Sequence, residues 1–125
     1  YCDKHHAASH DYFRSTIWQQ HEDYIRPQEN GSHYDCDYVQ LDGAGIKLTA
    51  VGAKPFCFNA SHYTQEELTE KAHNYELHPC DSTVLCLDYA QNGIGSASCG
   101  PRLAEQYRLD DASFEFSIRL IPEEA

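Results

Sequence analysis

The chain has 125 residues, of which 41% are hydrophobic, and a formal net charge of −11. That is enough apolar material for a packed core and too much for a disordered tract, and the length suits one domain over residues 1–125. The negative charge repels a phosphate backbone, which disfavours nucleic acid as a partner, and no run approaches the ~18 apolar residues that a membrane span needs.

Residues 1–10 (YCDKHHAASH) are polar and irregular. His5, His6 and His10 suggest a metal site only at first sight, because adjacent histidines diverge and no spaced partner pair supports them. Residues 12–18 (YFRSTIW) read as a strand, with Tyr12, Arg14, Thr16 and Trp18 on one face. His21 next to Glu22 and Asp23 has the residue types of a catalytic site, but neighbours in sequence are not thereby bonded in space, so the reading is a solvated histidine. Pro27 ends regular pairing and Asn30-Gly31 is a turn signal. Between them, Arg26 and Glu29 have two readings. A guanidinium held near a turn can grip a carboxylate or carbonyls and so dock this loop on a neighbour, or the two residues form an ion pair within the loop.

Residues 34–41 (YDCDYVQL) alternate, with Tyr34, Cys36 and Tyr38 expected inward and Asp35, Asp37 and Val39 outward. Gly43, Ala44 and Gly45 make a connection to a returning strand over residues 46–51, giving a hairpin with one wet face. Lys54-Pro55 opens a further strand with Phe56 and Phe58 on the core side. Thr64-Gln65-Glu66-Glu67 is a capping box that starts a short helix, with Glu67 reaching back to the cap and Leu68 and Ala72 forming its apolar stripe. The helix is expected to end near His73 and Asn74.

Residues 83–89 (TVLCLDY) read as a strand with Leu85, Leu87 and Tyr89 facing the core. The loop that follows holds three glycines, at 93, 95 and 100, among the small residues Ser96, Ala97, Ser98 and Cys99. Such a loop brings its backbone close to another surface, as docking and binding loops do, although glycine-rich surface turns are also common. Phe114, Phe116, Ile118 and Leu120 make the clearest alternation in the chain, and residues 122–125 are expected to form a solvated end. The six cysteines contain no closely spaced pair, and reduced thiols are expected. About six or seven short strands with one small helix predict an all-β, antiparallel β-sandwich.

Three strings carry a resemblance: YIRPQENGSHYD, FNASHYTQEELTEKAHNYEL, and DYAQNGIGSASCGP with the strand after it. In this order they resemble the last, small-chain domain of the lac-type family 2 β-galactosidases. The resemblance implies the second half of a large β-sandwich that packs beside a catalytic barrel in a cytoplasmic enzyme. It also implies that the catalytic glutamates and the magnesium and sodium ligands lie elsewhere, so this stretch needs no cofactor and carries no catalytic residue. The matching loop lines the aglycone side of the sugar pocket. Allowing one gap, Cys99 stands where some members have tryptophan, with Ser98 and Asn92 on the same rim, and Arg26 and Glu29 as docking residues.

The absence of methionine and the start at Tyr1 lead to the expectation of a piece of a longer polypeptide. The expected partners are the rest of that polypeptide, a β-galactoside at the full site and further copies of the chain, with no nucleic acid and no membrane. A second reading, from another class, is a free carbohydrate-binding β-sandwich whose exposed aromatic face includes Trp18 and several tyrosines.

Overall fold

The structure is a computed structural model, and it describes residues 2–3, 11–23, 31–92 and 101–125. The described strands form one antiparallel sheet of six: β1 (Cys2–Asp3), β2 (Asp11–Tyr12), β3 (His33–Gly43), β4 (Ile46–Ser61), β5 (Val84–Asp88) and β6 (Ile118–Glu124). Two short helices, α1 (Ile17–Gln20) and α2 (Gln65–Glu70), and two single 3₁₀ turns interrupt them. The class is all-β and sandwich-like, as the strand pattern predicted, with the sheet order β2-β1-β3-β4-β5 and β6 also on β4.

Everything is built on β4. One edge pairs with β3 along its length. The other edge is shared in tandem, with Ile46 to Gly52 facing β6 and Cys57 to Ser61 facing β5. The sequence reading divided this stretch into two strands, and the structure joins them through a bulge. Between Val51 and Phe56 lie Gly52, Ala53, Lys54 and Pro55, opposed on β3 only by Asp37. Proline lacks the N–H that a ladder needs, and a bulge is where a sheet tolerates it. Gly52 is required for a different reason. A Cβ there would lie 2.3 Å from the Lys54 carbonyl oxygen and 2.6 Å from Phe56 Cδ1. The bulge is tied down by the amide of Ala53, which donates to the Ser117 carbonyl at 3.2 Å.

The β3–β4 hairpin turns through Ala44 (φ 52°) and Gly45 (φ 77°). Two consecutive positive φ values give the primed turn whose twist matches antiparallel strands. A second irregularity lies at Asp35 (φ 54°), where β3 advances three residues from His33 to Cys36 while β4 advances two. This bulge and the one opposite Asp37 change which face each residue meets. Cys36 is inward as expected, but Val39, expected outward, is only 2% exposed and belongs to the core.

The core joins Cys36, Val39, Ala50, Phe56 and Phe58, with Leu41, Ala60, Leu85, Leu87 and Ile118 packed against it. The register explains the grouping, because Val39 faces Ala50, Phe58 faces Leu87 and Ala60 faces Leu85 across the strands. Leu120 faces Ala50 on the same side, yet it is 55% exposed. The apolar face therefore runs out to an uncovered edge. The opposite face of the hairpin is polar, with Asp42, Lys47 and Glu123 in one cross-strand row.

Four local expectations are corrected. Only Tyr12 of residues 12–18 is in a strand, because Thr16 caps α1: its hydroxyl accepts from the Gln19 amide and the Gln19 side chain accepts from the Thr16 amide. The second helix begins at Thr64 as expected, but Glu67 does not close the box. Its carboxylate accepts from the His78 amide at 2.8 Å, the helix stops at Glu70, and Ala72 is exposed. Phe114 and Phe116 lie outside the last strand. Pro122, Glu123 and Glu124, expected as a loose end, pair with Leu48, Lys47 and Ile46. Cys36, Cys57, Cys80 and Cys86 are reduced, as expected of them.

Candidate functional site

Of the five residues singled out from the sequence, Asn92 is described. Ser98, Cys99, Arg26 and Glu29 lie outside the described residues, as do His5, His6 and His10. What the structure gives of the glycine-rich loop is its stem. β5 ends at Asp88, and the next residue, Tyr89, is held between two rings from the returning segment. Its ring stacks on Phe114 (centroids 4.6 Å apart, 20° between planes) and meets Phe116 edge-on at 5.9 Å. Offset stacks and edge contacts of this kind add about 0.5–1.5 kcal/mol each beyond the area they bury.

This explains why Phe114 and Phe116 leave the ladder: their rings are taken by Tyr89. Asn92 then accepts a hydrogen bond at Oδ1 from the Leu109 amide at 2.7 Å. Beyond it, Arg108 donates from Nε to the Leu103 carbonyl at 2.7 Å, closing the 3₁₀ turn Glu105–Tyr107 on itself. The leading end of the loop is thus fastened to the segment that returns toward the sheet.

A second cluster gathers at the other end of β4. Trp18 on α1 lies 4.7 Å from His62, tilted by 37°, and meets Tyr63 edge-on at 6.3 Å. His21 packs on Tyr63 at 4.9 Å, and its Nε2 lies 3.2 Å from Asp23 Oδ1. The sequence reading sets this histidine apart from its acidic neighbours, whereas the structure brings its ring and the Asp23 carboxylate together. Sequence reasoning named Trp18 but missed His62. Only folding brings β4 back beside α1, and no local signal announces that.

Two glutamates are engaged by backbone amides. Glu67 holds the His78 amide, and Glu76 accepts from the amides of Ala72 and His73 at 3.1 and 2.9 Å. Glu123 and Glu124 are successive residues of β6 and so point to opposite faces. Among the described residues, no three His, Cys, Asp or Glu side chains converge to hold a metal ion. Nor is any helix there long and apolar enough to cross a membrane.

Comparison with known proteins places these features. Residues 1–120 match the family described as beta galactosidase small chain. A beta-galactosidase of Actinobacillus pleuropneumoniae is 51% identical over 121 residues, covering 97% of this chain and 12% of that protein. One from Staphylococcus xylosus is 44% identical over 120 residues, covering 96% of this chain and 12% of the relative. A third, from Kluyveromyces lactis, is 37% identical over 99 residues, covering 76% of this chain and 10% of the relative. The chain therefore spans roughly an eighth of the first two relatives.

Proposed function

Because the chain belongs to the beta-galactosidase small-chain family, we propose that it is a non-catalytic domain of a cytoplasmic β-galactosidase. In this reading it packs on the catalytic barrel and lines the aglycone side of the sugar pocket. The observation that carries it is the doubly fastened stem of the loop at residues 93–100. On its leading side Tyr89 is clamped by Phe114 and Phe116, and Asn92 is bonded to Leu109. A loop of small residues that leaves a fastened stem is suited to shaping the edge of a pocket.

The chemistry assigned to this chain is positional. Retaining hydrolysis of a β-galactoside needs an acid/base carboxyl and a nucleophilic carboxylate ~5–5.5 Å apart across the scissile bond. Glu67 of α2 and Glu76 of the turn after it are occupied by backbone amides, and Glu123 and Glu124 of β6 diverge. On the family reading the reacting carboxylates, with the magnesium and sodium ligands, are assigned to the rest of the polypeptide. Leu120, exposed beside the buried Ala50, marks the apolar margin where the remainder of the sandwich would continue. Arg26 and Glu29 are kept as docking residues on the same reading.

The test is twofold. The 125-residue chain alone should release no nitrophenol from a nitrophenyl β-galactoside, and turnover by it would end the non-catalytic assignment. In the full-length enzyme, replacing residues 93–100 by a short glycine linker should raise KM in an aglycone-dependent way. Unchanged KM across aglycones would remove the loop from the pocket.

A further inference from the structure

Trp18 is the single tryptophan of the chain, and a ring cluster away from the loop at residues 93–100 is built around it. Trp18 is 54% exposed although it sits among ring partners. Its position is fixed from three sides. The reciprocal Thr16–Gln19 cap holds the turn, at 3.2 and 3.0 Å. The Gln20 side-chain oxygen lies 3.0 Å from His33 Nε2, tying α1 to β3. His62 and Tyr63 support the indole itself. A ring ordered in advance loses little conformational entropy when a ligand arrives, which is what makes rigid aromatic residues efficient contact points.

Polar groups adjoin the indole through His21. His21 lies 6.4 Å away, edge-on, and carries the Asp23 carboxylate, which is 80% exposed. Asn74 donates from its amide to the Asp23 carbonyl. Among the described residues no hydrogen bond is made by the indole N–H of Trp18. An aromatic face beside a carboxylate, two imidazoles and an amide matches a ligand with one C–H face and a rim of hydroxyls. With a chain charge of −11, sulfated or uronic-acid glycans are repelled. An uncharged saccharide is not.

From this we infer that Trp18, His62, His21 and Asp23 form a surface site for a neutral pyranose, separate from the loop at residues 93–100. The choice of a β-galactoside as its ligand rests on the family reading; the site itself rests on the geometry. The sugar ring lies against Trp18, and Asp23 accepts from two of its hydroxyls while His21 holds the carboxylate in place.

The lone tryptophan supplies the readout. Methyl β-D-galactopyranoside and lactose are titrated into the 125-residue chain while Trp18 emission is followed, with mannitol as a polyol lacking a ring. The expected result is a saturable emission change with both galactosides and none with mannitol. By calorimetry, Trp18→Ala should weaken binding about tenfold, Trp18→Phe should weaken it less, and Asp23→Asn should fall between wild type and Trp18→Ala. Far-UV circular dichroism confirms that each variant is folded, which the exposure of both residues favours. No saturable change with either galactoside, or equal affinity in Trp18→Ala, overturns the site. Displacement of the emission change by an arginine-rich peptide instead of by sugar overturns the ligand class. The pocket-rim reading is scored by kinetics of the full-length enzyme, so the two can fail independently.

Discussion

The side-chain oxygen of Asn92 accepts a hydrogen bond from the Leu109 amide at 2.7 Å, joining the start of the glycine-rich loop to the segment that brings the chain back to the sheet. A neutral bond of this kind contributes about 0.5–1.5 kcal/mol net. Its value lies less in that figure than in what it joins, because it ties the residue before the loop to the segment after the 3₁₀ turn Glu105–Tyr107.

Asn92→Ala in the full-length enzyme should therefore raise KM for bulky aglycones by about two- to tenfold while leaving turnover of a good leaving group unchanged. Asn92→Asp keeps an acceptor oxygen and should restore most of the loss. Steady-state kinetics on two aglycones of different size checks this. A loss of kcat without any change in KM would point to a different role.

Gly52 marks the point where β4 turns out of one ladder and into the next. A methyl group at this position meets a carbonyl oxygen at 2.3 Å and the Phe56 ring at 2.6 Å, and Phe56 is 1% exposed and cannot yield without disturbing the core. Gly52→Ala should cost about 1–3 kcal/mol, read as a lower urea midpoint with an unchanged slope. Gly43→Ala is the control. A Cβ there has nothing within 4 Å, and the midpoint should shift little.

Ala44 adopts φ 52° in the hairpin turn, a conformation that L-residues with a Cβ disfavour. Asparagine is tolerant there and is the usual first residue of a primed turn before glycine, which Gly45 already supplies. Ala44→Asn should raise stability by about 0.5–1 kcal/mol. Thermal and urea melts of the variant measure it, and a lowered midpoint would show that the turn is held open by something other than its own backbone.

How much of this was legible beforehand follows from the range of each interaction. The Thr64 cap, the Ala44-Gly45 turn and the Phe56/Phe58 face are written in residues a few positions apart, and all three stand in the structure. The short helix at Ile17–Gln20 was also legible, through Thr16 and Gln19 at capping-box spacing, but the alternation of residues 12–18 outweighed it. Val39 is a different matter. Its face depends on two bulges, and the larger of them lies on the partner strand, so a period-two reading of residues 34–41 cannot find it. The alternation of Phe114 and Phe116 is real and reads as a strand, yet their rings pack on Tyr89 outside the sheet. The Trp18–His62 contact and the clasp between Asn92 and Leu109 join segments distant in sequence, and nothing local marks either.

The central claim is that this chain shapes the aglycone edge of a β-galactosidase pocket while other polypeptide performs the cleavage. Cys99→Trp in the full-length enzyme tests it most directly, with inhibition constants measured for galactose and for galactosides bearing aromatic aglycones. An indole offers a broad stacking surface that a thiol lacks, so aromatic galactosides should bind about three- to tenfold more tightly while galactose itself is unaffected. Identical constants for every ligand, or a change as large for galactose as for its aromatic glycosides, would contradict the account.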